Sequence, residues 1–155
     1  MTTVFGMKHP AVESTVLVAD RQTTSLDQQT GIPNGKFLKR KLWVDQKGDY
    51  CFGHAGKMDQ ETYDFVQAFV SGKFDVEKIL EKGNFSELRS MNLRRMGRKL
   101  PNLQELSGIV LATRLNGAPS LHTCFPLGAV EERIWTTAGS GDQRVIEYES
   151  TPNSS

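Results

Sequence analysis

The chain has little cysteine, no long apolar run and almost no net charge. Two cysteines, Cys51 and Cys124, stand far apart among 155 residues. They are too few for a disulfide scaffold and lack metal-site spacing, so a reducing, cytoplasmic compartment is expected. No apolar stretch approaches the roughly 18 residues that a membrane span needs, so no membrane partner is expected. The amino terminus shows no long apolar segment with a small-residue cleavage site, and no secretory signal is expected. Nineteen Lys and Arg against eighteen Asp and Glu leave a formal charge of +1. Dedicated nucleic-acid binders carry a clear positive surplus to meet phosphate, so that class is set aside. What remains is 37% hydrophobic and 24% charged, an ordinary globular composition. At this length it makes one domain, or one and a tail.

Hydrophobic periodicity orders the chain as strands, then helices, then strands. Thr2 to Lys8 and Thr15 to Ala19 are apolar, β-branched runs that read as strands, with a break at His9-Pro10. Asp20 to Ser25 closes the second strand, and Leu26 to Gly35 reads as a mostly polar loop with Gly31, Pro33 and Asn34-Gly35 as turn signals. Leu42-Trp43-Val44 and Tyr50 to His54 form a hairpin about Lys47-Gly48-Asp49. From Asp59 the period becomes helical, with Tyr63, Phe65, Val66, Phe69 and Val70 ahead of Gly72, and a short helix follows to near Gly83. Ser86 to Leu100 reads as a basic amphipathic helix, with Leu88, Leu93, Met96 and Leu100 inward and Arg89, Arg94, Arg95, Arg98 and Lys99 mostly outward. Pro101 ends it. Ile109 to Thr113 and Ser120 to Phe125 pair about Asn116-Gly117, and Arg133 to Thr137 is a last strand. The class is α+β, because antiparallel hairpins outnumber any βαβ pattern. Residues 1–148 form a single domain in this reading, and 149–155 a polar, unstructured tail.

The amino terminus carries the first chemical signal. Met1 precedes Thr2, which is small enough to permit methionine removal. An exposed N-terminal threonine holds a hydroxyl and a free amine on adjacent carbons. With an ordinary pKa of about 7.7 to 8.0, that amine can act as base near neutrality. Other short signals follow in order. Ala19-Asp20 closes the second strand with Thr24 four residues on, Lys41 opens an apolar strand, His54-Ala55-Gly56 ends a hairpin, and Gly139-Ser140-Gly141 stands near the end. Each alone has a plainer reading: Asp20 as a turn residue, Ser140 as a helix N-cap, Lys41 as one solvated charge beside Lys36, Lys39 and Arg40.

Together, and in this order, they resemble the N-terminal-nucleophile hydrolases of the proteasome β-subunit type, including the bacterial HslV peptidase. The resemblance runs from Thr2 to about Gly141. It implies a four-layer αββα sandwich with two antiparallel sheets, and a threonine-type endopeptidase that acts through an acyl-enzyme on Thr2. By the same resemblance, Lys41 stands beside the nucleophile and Asp20 holds that lysine. The Gly56 N–H is the oxyanion donor, and Ser140 bonds the terminal amine. Thr24 offers its backbone to an extended substrate, and His54 reads as a pocket-wall residue. No cofactor and no metal are implied. The partners implied are unfolded polypeptides, identical subunits in a ring, and either α-type subunits or an ATP-dependent unfoldase.

The pattern departs from the family in two places. Members usually continue for several dozen residues past Gly-Ser-Gly, so part of one helical layer is expected to be missing from this chain. The Asp20-to-Lys41 interval is also longer than expected, and a retained Met1 would block the amine. Two alternatives therefore stay open: a non-catalytic structural ring subunit, and an N-terminal-nucleophile amidase or transferase acting on a specific amide.

Overall fold

The computed structural model describes residues 3–9, 14–19, 22–26, 33–38, 40–98 and 105–139. Among them, ten strands and three helices alternate in long blocks. Strands β5 (Leu42–Val44), β6 (Tyr50–Ala55), β7 (Gly108–Leu115), β8 (Ala118–Cys124) and β9 (Val130–Glu132) form a five-stranded sheet in that order, antiparallel throughout. Strands β1 (Thr3–His9), β2 (Ser14–Ala19) and β10 (Trp135–Gly139) form a three-stranded antiparallel sheet with β1 in the middle. β3 (Gln22–Leu26) and β4 (Pro33–Leu38) make a separate hairpin. The mixed α/β class follows the sequence reading.

Strand alternation divides the core in two. Tyr50 and Phe52 of β6, with Ile109 and Leu111 of β7, face the helices α1 (Gln60–Val70), α2 (Val76–Lys82) and α3 (Ser86–Arg98). Phe65, Val66 and Phe69 of α1 and Leu88 and Met91 of α3 complete that cluster, where Phe52 stacks on Phe69 with centroids 4.4 Å apart. On the other face, Ala55, Val110, Ala112 and Leu121 meet Val4 and Ala138 of the three-stranded sheet. Each large side chain fully enclosed this way contributes about 1.5–3 kcal/mol. The described residues thus stack in three layers, with helices, five strands and three strands in sequence. A second helical layer is not seen among them.

Local chemistry explains the helix limits. Asp59 caps α1 by accepting from the Thr62 N–H at 2.9 Å, and Asp75 caps α2 through the Lys78 N–H at 3.2 Å. Gly83 closes α2 in the left-handed conformation, φ 64°.

Three expectations need correction. The segment read as a loop from Leu26 to Gly35 contributes to a hairpin, in which Gln22 to Leu26 pairs with Pro33 to Leu38. Its polar composition hid the strands, while Pro33 fits at the start of a strand, where no ladder N–H is lost. The inward face of α3 is Leu88, Met91, Asn92 and Arg95, whereas Leu93 and Met96 are 42% and 38% exposed. Positions i, i+3, i+4 and i+7 share a face and i+5 does not, so the apolar choice of Leu93 misplaced the stripe. The last strand, read as Arg133 to Thr137, runs instead over Trp135–Gly139 as β10, and Arg133 and Ile134 separate it from β9, an additional strand at Val130–Glu132. Lys99, Leu100, Pro101 and the expected 149–155 tail lie outside the described residues.

Candidate functional site

Strand register brings the neighbours of the expected catalytic residues to one end of the three-stranded sheet. Thr3 pairs with Gly139, and Val4 pairs with Ala19. Those partners directly follow Thr2 and directly precede Ser140 and Asp20 in sequence. Thr2, Asp20 and Ser140 themselves lie outside the described residues. Thr24 is on β3, opposite Lys36, and its side chain also lies outside them.

That sheet end rests on the five-stranded sheet at Gly53. A Cβ there would stand 2.4 Å from Val4 Cγ1 and 3.0 Å from Leu42 Cδ2. The absence of a side chain is what lets β1 come so close to β6. Lys41, immediately before Leu42, is only 7% exposed, and its carbonyl accepts from the His54 N–H at 3.0 Å. Lys36 and Lys39, the competing lysines, have no described side chains. Two residues beyond His54, Gly56 turns out of β6 with φ +128°, a conformation that L side chains rarely adopt.

Behind the Gly56 turn is a buried polar cluster on the helix side of the sheet. His54 is 2% exposed, and its Nε2 lies 2.9 Å from Ser107 Oγ. Burial, helped by the nearby Arg95 charge, pushes the His54 pKa down to about 3, so the ring is neutral at physiological pH. The side chain expected to wall a substrate pocket is therefore enclosed in the interior. Asn92 holds the Ser107 backbone at both ends, donating to its carbonyl at 3.0 Å and accepting from its N–H at 2.9 Å. Arg95 pairs with Asp59 at 3.0 Å and donates to the Glu105 carbonyl at 2.6 Å. Burial alone would raise the Asp59 pKa, but bonds from Thr62 and Arg95 outweigh it and hold the carboxyl below its ordinary value.

Asn92, Arg95, Ser107 and Asp59 were not among the expected site residues. One signal was present in the sequence: Asn92 and Arg95 continue the stripe begun by Leu88 and Met91, where polar side chains must find buried partners.

Other features lie elsewhere. A cleft of ≈ 570 Å³ lined by Asp45, Tyr50, Ser71, Phe74, Asp75 and Arg114 opens at the end of β6 remote from Gly56. His122 contacts Ser120 Oγ through Nε2 at 3.0 Å. Cys124 is buried, which pushes its thiol pKa up to about 12, and Cys51 is half-buried. Among the described residues, no three His, Cys, Asp or Glu side chains gather as metal ligands, and no helix is long and apolar enough to cross a membrane.

No protein-family model matches the chain, and no curated protein matches its sequence.

Proposed function

We propose that this chain is a threonine endopeptidase subunit of the N-terminal-nucleophile type, built on an αββα sandwich and assembled as a ring. The observation that carries the reading is the convergence of Thr3, Ala19 and Gly139 at one sheet end, with Val4 packed on Gly53 beside Leu42. Four separated stretches of sequence are thereby neighbours, and each adjoins a residue to which the sequence pattern gives a catalytic role.

In this reading, removal of Met1 frees the Thr2 amine. That amine takes the proton of Thr2 Oγ as the oxygen attacks the scissile carbonyl. Lys41, held by Asp20, lowers the cost of forming the alkoxide by its positive charge. The Gly56 N–H donates to the oxyanion, a contribution of about 2.7–4 kcal/mol in comparable sites. As the tetrahedral intermediate collapses, the Thr2 ammonium returns its proton to the departing peptide amine, the C–N bond breaks, and an ester remains on Thr2. Water, deprotonated by the same amine, attacks the ester and releases the second product. Ser140 holds the terminal amine. An extended substrate pairs with the backbone at Thr24 by strand addition, which selects unfolded polypeptide. The sequestered chamber of a ring suits such a substrate, delivered through α-type subunits or an ATP-dependent unfoldase.

Hydrolysis of unfolded casein tests the proposal, using protein whose intact mass lacks one methionine and the Thr2→Ala variant beside it. Cleavage by the first and none by the second is the expected result. Equal rates for the two proteins would overturn it. Hydrolysis of a small acyl amide with casein untouched would favour the amidase reading.

A further inference from the structure

We infer that Arg95 is a positioning residue for Gly56: its guanidinium ties residue 105, in the segment packed against the Gly56 turn, to the α1 cap that follows that turn. The catalytic consequence of this inference rests on the peptidase reading; the structural part does not.

The two segments meet backbone to backbone. A Cβ on Gly56 would lie 2.5 Å from the Leu106 carbonyl oxygen and 2.9 Å from Ser107 Cα, while the Lys57 N–H donates to the Glu105 carbonyl at 3.1 Å. Such a contact can hold the direction of the Gly56 N–H only if residues 105–107 are themselves held. Arg95 bonds the 105–107 segment on one side and, on the other, the α1 cap two residues past Lys57. Its Nη1 donates to the Glu105 carbonyl at 2.6 Å and approaches Ser107 Oγ at 3.5 Å. Its Nη2 bonds Asp59 Oδ2 at 3.0 Å and Thr62 Oγ1, and lies 3.5 Å from the Lys57 carbonyl. The two contacts at 3.5 Å are weak, so the grip rests on Glu105, Asp59 and Thr62. Asn92, one turn earlier on α3, bonds the Ser107 backbone N–H and carbonyl, and the His54 ring meets the Ser107 hydroxyl.

Stability alone gives a poor account of this arrangement. Arg95 is 6% exposed and its Nε has no hydrogen-bond partner among the described residues. Burying a guanidinium carries a desolvation cost that a well-packed apolar side chain avoids. What the planar fork does, and an apolar chain or a lysine does not, is bond the Glu105 carbonyl and the Asp59–Thr62 cap of α1 at once. Preorganised oxyanion donors depend on that kind of support, because a displacement of about 1 Å can cost about 100-fold in rate. An oxyanion forms only in the transition state, so the loss falls on kcat and leaves KM nearly unchanged.

The experiment compares full-length wild type with Arg95→Lys, Arg95→Met and, as control, Arg98→Ala, whose exposed side chain pairs with Glu61. Each protein is labelled with ¹⁵N-glycine and also assayed on casein. In folded Arg95→Lys, the Gly56 amide resonance should move, its hydrogen exchange should quicken, and kcat should fall about 100-fold at constant KM. The Arg98→Ala control should match wild type. Asn92→Ser, which loosens Ser107 while keeping Arg95, supplies a second lever and should shift the same resonance. A folded Arg95 variant with the wild-type Gly56 resonance and exchange would overturn the inference. A Gly56 amide that responds, in a protein whose wild type does not cleave casein, would uphold the positioning role and refute the peptidase reading.

Discussion

Val4 occupies the space that a side chain on Gly53 would need, since an added Cβ would stand 2.4 Å from Val4 Cγ1. This contact sets how closely the start of β1 approaches β6. Gly53→Ala forces one of the two strands to move, and overpacking of this kind costs about 1–3 kcal/mol. The urea midpoint should fall by a corresponding amount. Val4→Ala in the same chain should recover part of the loss, because it vacates the contested volume. A double-mutant cycle with no coupling between the positions would show that the contact does not set the strand spacing.

Lys41 is buried at the opening of β5, unlike a surface charge that could be lost without effect. Lys41→Ala should abolish peptidase activity with the fold retained by circular dichroism. Lys36→Ala and Lys39→Ala should behave as wild type. Activity lost at Lys36 or Lys39 but kept in Lys41→Ala would identify the wrong lysine in the proposed site.

Much of the fold was legible from periodicity alone. β6 and β7 are β-branched or aromatic strands, and α1 repeats apolar residues after a clear Asp59 cap, so short-range patterns sufficed. The β3–β4 hairpin was not legible, because its strands carry polar residues and are linked by a segment rich in turn signals. The Asn92–Arg95–Ser107 cluster was hidden for a different reason. Arginine on an amphipathic helix reads as solvated, and only the tertiary approach of residues 105–107 gives Arg95 its buried partners. For the site, motif order named Lys41 and Gly56, while the register that gathers Thr3, Ala19 and Gly139 required the structure.

The buried His54 makes stability depend on pH with a definite sign. Its folded-state pKa, about 3, lies below the ordinary 6.5, so the unfolded chain binds this proton first as pH falls. The stability held by neutral His54 is complete above pH 6.5 and is lost progressively as pH falls towards about 3. His122, also lowered by burial, acts in the same direction. Urea midpoints measured across this window should decline with acidification, and His54→Gln should flatten the slope without removing it. An unchanged slope in His54→Gln would show that His54 titrates in the folded protein as it does in the unfolded chain.

The ring proposal makes a prediction about assembly. Val16 and Val18 on β2 and Ile134 before β10 are exposed large apolar side chains. Apolar surface of this kind favours association. Light scattering at micromolar concentration should report a multimer. A monodisperse monomer would contradict a chambered protease.

The central claim is that the free amine and hydroxyl of Thr2 perform the chemistry. Thr2→Ala should be inert, and Thr2→Ser should keep partial activity, because serine retains both groups but loses the methyl that restricts the rotamer. The most direct measurement is mass spectrometry after reaction with a β-lactone or epoxyketone probe. Protein lacking Met1 should carry a single adduct that maps to Thr2, and protein retaining Met1 should carry none. Robust casein hydrolysis by a uniformly Met1-bearing protein, with no adduct on Thr2, would contradict the account.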